Sequence, residues 1–144
     1  MSWQDAATKA QAAVKDAIPS QWRLPSNFVL KGKDVRSVPR DCGLLSQKQL
    51  EITERTATEL VEDLRNGRLS AVTVTIAYVA RAAISAQVTN CIANFFPQEG
   101  LQRAAELDEY LRKHGKPIGP LHGLPVALKV GRQHDCDLSC SVLM

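Results

Sequence analysis

No Gly-Gly pair and no Gly-x-Ser-x-Gly run occurs among the 144 residues. A serine or cysteine nucleophile therefore has no local sequence from which to build its strained turn and oxyanion cradle. Gly115-Lys116 lacks the earlier glycine and the following hydroxyl of a phosphate loop, so nucleotide binding has no motif either. Charge of one sign is scarce as a block. Eighteen Lys plus Arg stand against fifteen Asp plus Glu, a formal +3, and they are scattered rather than gathered into a stripe that tracks phosphates. Nucleic acid is not an expected partner.

Long hydrophobic runs are missing too. The longest, about Ala71 to Ile84, is interrupted by Thr73, Thr75 and Tyr78 and then by Arg81, short of the ~20 residues of a membrane span. Met1-Ser2-Trp3-Gln4-Asp5 has no apolar leader core, and Asp5 and Asp16 argue against an Arg-rich transit peptide. The expectation is a soluble cytoplasmic protein without membrane contact. The four cysteines, Cys42, Cys91, Cys136 and Cys140, are then reduced thiols rather than a disulfide framework.

What is present is ordinary globular material, 44% hydrophobic and 23% charged, enough for one domain. Gln4 to Ile18 reads as a helix whose Ala6, Ala7, Ala10, Ala13, Val14, Ala17 and Ile18 form one face. Pro19 ends it. From there to about Gln49, Pro19, Pro25, Pro39, Gly32 and Gly43 break any period, while Trp22, Leu24, Phe28 and Leu30 are too apolar for a free linker. An extended arm wrapped over a larger body is expected.

Thr56-Ala57-Thr58-Glu59 has capping-box form and starts a helix with Ala57, Leu60, Val61 and Leu64 inward, ended by Gly67. Ser70 caps the next. Val72, Ile76, Val79, Ala80, Ala83 and Ala86 form its stripe, and Val74, Tyr78 and Ile84 make other sides apolar, which predicts a central helix. Cys91 to Phe96 is short, apolar and stopped by Pro97, the pattern of a buried strand. A polar helix with Leu101, Ala104, Leu107 and Leu111 inward then runs to Gly115. Pro125 to Lys129 reads as a second strand. Strand, helix, strand implies an α/β class with parallel pairing, and two strands are too few for a finished sheet.

Lys129 ends an apolar run at the carboxyl end of that strand, where α/β folds place their chemistry. Desolvation lets such an amine accept a proton near neutral pH, whereas an ordinary strand-end lysine snorkels to water. His134, Cys136 and Cys140 offer three borderline ligands close together, but no second ligand pair stands at zinc spacing, so neither metal nor cofactor is expected. His122, in a tight turn, reads as a locally hydrogen-bonded loop residue. Cys42 and Cys91 read as packing residues, Cys91 within a strand.

The segment Gly119-Pro120-Leu121-His122-Gly123-Leu124-Pro125-Val126-Ala127-Leu128-Lys129 resembles the part of the amidase signature family that carries its catalytic lysine. Leu50 to Glu54, the Thr58-Glu59-Leu60 helix, Gly67 to Ser70, Ala93-Asn94-Phe95 and the helix with Ala104, Ala105 and Asp108 come in family order. Ile18 to Pro25 and Val38 to Leu45 are similar to the fungal acetamidase branch, and the resemblance covers residues 4 to 129. It implies the N-terminal part of the amidase signature fold, helices around a mixed sheet, incomplete here. Residues 1–50 would be the N-terminal helix and arm, 51–129 the amidase portion, and 130–144 a divergent tail expected to be disordered and unpaired.

The resemblance also implies a Ser, cis-Ser, Lys mechanism, with Lys129 as the lysine and a small carboxylic amide hydrolysed to acid and ammonia. The family continues after its lysine with an Asp and a Gly/Ser-rich segment. Here the chain reads Val130-Gly131-Arg132-Gln133-His134, and Ser139 and Ser141 stand in no Gly-rich turn. A truncated, inactive amidase is therefore expected, with a small amide as the family's substrate and self-association left open. The alternative is a non-catalytic interaction module that binds a partner amidase subunit.

Overall fold

The computed structural model describes residues 2–30, 32, 34–127 and 142–143. Helix α1 (Trp3–Ala17) starts where Ser2 and Asp5 satisfy each other's backbone amides, and those bonds hold the Asp5 carboxyl below the usual range. Its expected alanine face is not buried. Ala6, Ala7, Ala10 and Ala13 are exposed, and within the helix only Val14 is buried, followed by Ile18 just past its end. Alanine buries too little area to hold the early turns down, so the larger residues near the carboxyl end make the contact.

The arm does wrap. Trp22 closes a single 3-10 turn (Ser20–Trp22) and is buried, as are Val38 and Leu45, and Phe28 packs partly against them. The Gln87 side chain fastens this strap, accepting from Leu24 N–H at 2.8 Å and donating to the Trp22 carbonyl at 2.9 Å. A short helix α2 (Val38–Asp41) occupies ground expected to be irregular, and α3 (Gln47–Glu54) begins at the end of that stretch. A signal for α3 is nevertheless present in the sequence: Ser46 and Gln49 form a full capping box.

Helix α4 (Ala57–Arg65) begins at Thr56 with the expected capping box to Glu59, and Gly67 takes the left-handed conformation after it. Helix α5 (Ala71–Thr89) is the axis of the fold, touching α2, α3, α6 (Pro97–His114) and the 3-10 turn. Val74, Ala77, Val79, Ala80, Ala83 and Ile84 are all buried, so it is enclosed on several sides as its pattern predicts. Its first half joins Ile52, Leu60, Leu64, Ala104 and Leu107 in one core, and its second half joins Val14, Ile18, Trp22, Val38, Leu45 and Phe95 in another. By length and composition α5 is long enough and apolar enough to cross a membrane, contrary to the shorter run read from the sequence. Half of that stretch is buried within the fold.

The strand expected at Cys91 to Phe96 does not form. Asn90, at φ 50°, ends α5 in the left-handed region and Pro97 begins α6, so these six residues serve to fold α6 back against α5. An isolated extended segment has no ladder to satisfy its backbone, and only Phe95 among its apolar side chains is buried. Helix α6 shows the expected inward Ala104 and Leu107 and ends at Gly115. The described strands are β1 (Val126–Ala127) and β2 (Val142–Leu143), paired antiparallel with Val126 opposite Leu143 and Ala127 opposite Val142. Two expectations are thereby corrected. The parallel crossover expected between residues 91–96 and 125–129 lacks its first strand, and a stretch beyond Val130 does pair with β1, antiparallel, two residues of backbone hydrogen bonding needing no side-chain alternation. Nor is β1 deeply buried, since Val126 is half-buried and Ala127 exposed.

Candidate active site

The chain reaches β1 through a turn that is tied to three helices. After Gly115 it returns toward the bundle, with His122 N–H bonded to the Gly119 carbonyl at 3.3 Å and Leu124 N–H to the Leu121 carbonyl at 3.1 Å. Gly123 sits at φ +72°, and a Cβ there would lie 2.9 Å from the Ala71 Cβ and 3.1 Å from a Leu64 methyl. Glycine is thus required twice over, for the left-handed backbone and for the close approach to α4 and α5. Leu124 packs into the core around Leu60 and Leu107. This arrangement aims the chain into β1, and Lys129 itself lies outside the described residues.

His122 occupies the interior of the turn, only 5% exposed, and its Nδ1 accepts the Ile118 N–H at 3.3 Å. The local hydrogen bond expected of a loop histidine is present. Burial pushes its imidazole below the ordinary value, Asp108 pulls it up and Arg103 pushes it down. Its Nε2 is buried without a partner among the described residues.

Two carboxylates shape the surroundings. Asp108 of α6 accepts from the backbone amides of Ala71 at 2.6 Å and Val72 at 3.0 Å, capping α5 from a neighbouring helix. The sequence pattern offers no signal for this, because the pair is remote along the chain. Asp63 of α4 is buried and bridges Arg55 and Arg68, the Arg68 Nε lying 2.5 Å from it. It also turns the chain after α4, since its carbonyl accepts from Arg68 and Leu69.

The remaining sequence candidates do not join this site. His134, Cys136, Cys140, Ser139 and Ser141 lie outside the described residues, and among those described no group of three His, Cys, Asp or Glu could hold a metal. Cys42 is half-buried, with its thiol directed to the Pro39 carbonyl at 3.6 Å, and it packs against the core as expected. Cys91 is exposed and outside any strand, so it is not the packing residue that its pattern suggests. A cleft of about 550 Å³ lies elsewhere, between α1, the arm and the end of α5, lined by Val14, Ile18, Phe28 and Gln87 among others.

Comparison with known proteins bears on this geometry. The Amidase family model matches residues 73–136. An amidase of Gibberella zeae is 48% identical over 129 residues, covering 90% of this chain and 24% of that protein. The acetamidase of Aspergillus oryzae is 44% identical, covering 89% and 23%, and that of Emericella nidulans 45%, covering 89% and 23%. Among solved structures, a fatty acid amide hydrolase superposes with a TM-score of 0.66 at 35% identity, over 82% of this chain and 22% of that one. The chain spans about a quarter of the length of the curated relatives it matches.

Proposed function

We propose that the chain belongs to the amidase signature family and is the lysine-bearing portion of an acetamidase-type amidase, inactive as these 144 residues. The intact form would hydrolyse small carboxylic amides to acid and ammonia, with Lys129 acting through a bridging serine on a nucleophilic serine. The observation that carries this reading is the run Gly119 to Ala127. It is the part of the lysine segment that the structure describes, and Gly123 wedges it against Leu64 and Ala71 so that it delivers β1 toward Lys129. The acetamidases at 44% and 45% identity support the substrate class.

The residues after Lys129 support inactivity. Val130-Gly131-Arg132-Gln133-His134 replaces the Asp and the approach to the Gly/Ser-rich segment that supplies the family's serines. A lysine alone offers general-base assistance of roughly 10² to 10⁴-fold to a very slow reaction. The proposal extends to a cytoplasmic setting, in keeping with Cys42 and Cys91 as free thiols. Purified chain incubated with acetamide should release no ammonia above buffer. Turnover that disappears in Lys129→Ala would overturn the inactive reading.

A second reading, a module that joins a partner amidase subunit, is favoured by Ile118 and Leu121, which are 52% and 61% exposed beside the turn into β1. Co-purification with an intact amidase would separate it from the first.

A further inference from the structure

An imidazole whose Nδ1 accepts a hydrogen bond is neutral at that nitrogen, because the imidazolium carries N–H on both. His122 meets this condition through the Ile118 N–H at 3.3 Å, so its proton resides on Nε2. Protonating Nδ1 would turn two N–H groups toward each other, lose the bond that ties Ile118 to His122, and place a cation where the side chain is 5% exposed. Among the described residues, the charged groups that act on it come from α6, Asp108 favouring the cation and Arg103 opposing it. From α4 and α5 the nearest approaches to the adjoining Gly123 are the apolar side chains of Leu64 and Ala71.

We propose that His122 is a positioning residue, a neutral clasp that closes the turn from Ile118 to His122 and so sets where β1 begins, and that acid opens it. The downstream neighbour explains why the clasp matters to the strand. Gly123 has no slack against α4 and α5, and a turn released at Ile118 pivots about that wedge and carries Leu124 to Ala127 with it. Burial holds the imidazole below its ordinary pKa, so the neutral form persists as pH falls through that ordinary value and is lost at a lower one. In the unfolded chain the ring protonates first, at about 6.5, so the native turn loses stability from there downward and the loss is complete below its depressed native pKa. Only the bearing of the clasp on Lys129 rests on the amidase reading; the clasp itself does not.

Amide hydrogen exchange on the full chain tests this without any activity measurement. The protection factor of the Ile118 amide should fall severalfold between about pH 7 and about pH 5, as the ring takes up a proton. In His122→Asn, whose side-chain oxygen can take the place of Nδ1 but does not titrate, protection should stay level across that range. In His122→Ala it should be low at both ends. Nitrogen-15 shifts of the ring at neutral pH should show an unprotonated Nδ1. A level wild-type profile, a step that survives in His122→Asn, an Nδ1–H ring, or parallel loss of protection throughout α5 would each overturn the clasp.

Discussion

The Asp108 carboxylate on α6 holds the first two amides of α5, lying 2.6 Å from Ala71 N and 3.0 Å from Val72 N. Ser70 takes the third, Thr73 N, at 3.1 Å. Three of the donors that a helix start leaves without intrahelical partners are therefore satisfied, one by the helix's own cap and two by a side chain brought by tertiary packing. A negative charge at this end also complements the helix dipole.

Removing that carboxylate should loosen the joint between α5 and α6. Asp108→Ala is expected to lower unfolding free energy by about 1–3 kcal/mol, the range for a lost cap and two abandoned amides. Asp108→Asn should lose less, since one oxygen can still accept. Urea titrations followed by helical circular dichroism check both, and an alanine variant as stable as the parent would contradict the role.

Local chemistry makes some of this fold legible in the sequence. Thr56 with Glu59, Ser70, Gly67 and Gly115 mark helix ends on their own, and the structure places α4, α5 and α6 accordingly. Signals that depend on distant partners are silent: Asp108 to Ala71, Gln87 to the Trp22 and Leu24 backbone, and Asp63 to Arg55. The run Cys91 to Phe96 misleads because a short apolar stretch describes a connection between packed helices as well as a strand. In the candidate site, the turn and β1 are legible from Pro and Gly placement and from the family resemblance. The contact that makes Gly123 indispensable is not, because Leu64 and Ala71 become its neighbours only after the helices assemble.

The strap formed by the arm should come free when its fastening is cut. The Gln87 side chain bonds both Leu24 N–H and the Trp22 carbonyl, joining the arm to α5 across a long stretch of sequence. Gln87→Ala is expected to speed tryptic cleavage between Arg23 and Leu24 severalfold, with opening of the strap made easier by about 1 kcal/mol for each lost bond. Helical circular dichroism should change little. An unchanged cleavage rate would mean that Trp22 packing alone holds the arm.

Exposed apolar surface near the turn should make the isolated chain bind hydrophobic dyes. Ile118 and Leu121 are 52% and 61% exposed, and on the arm Val29 is 76% exposed. Such surface favours association unless another body covers it. The parent is expected to enhance ANS fluorescence, and the double variant Ile118→Ser, Leu121→Ser to reduce that enhancement markedly. Equal fluorescence in the two would move the dye site elsewhere.

Gly123 and Gly115 provide a matched pair, because both have positive φ, +72° and +65°, and of the two only Gly123 has neighbours where a Cβ would go. Gly115→Ala should incur only the left-handed backbone penalty of roughly 1–2 kcal/mol. Gly123→Ala adds a 2.9 Å approach to the Ala71 Cβ and a 3.1 Å approach to Leu64. The Leu64 methyl can rotate away, but the Ala71 Cβ is fixed to the start of α5 and cannot yield without moving the helix or the turn. An additional loss of about 1–3 kcal/mol is expected, as for overpacking in a filled core. The shift should appear in the amides of Ala71, Val72 and Val126 on nuclear magnetic resonance, since the same wedge holds α5 and aims β1. If the two alanine variants prove equally stable and leave those amides in place, then the turn is not seated on the helices as the close approach indicates.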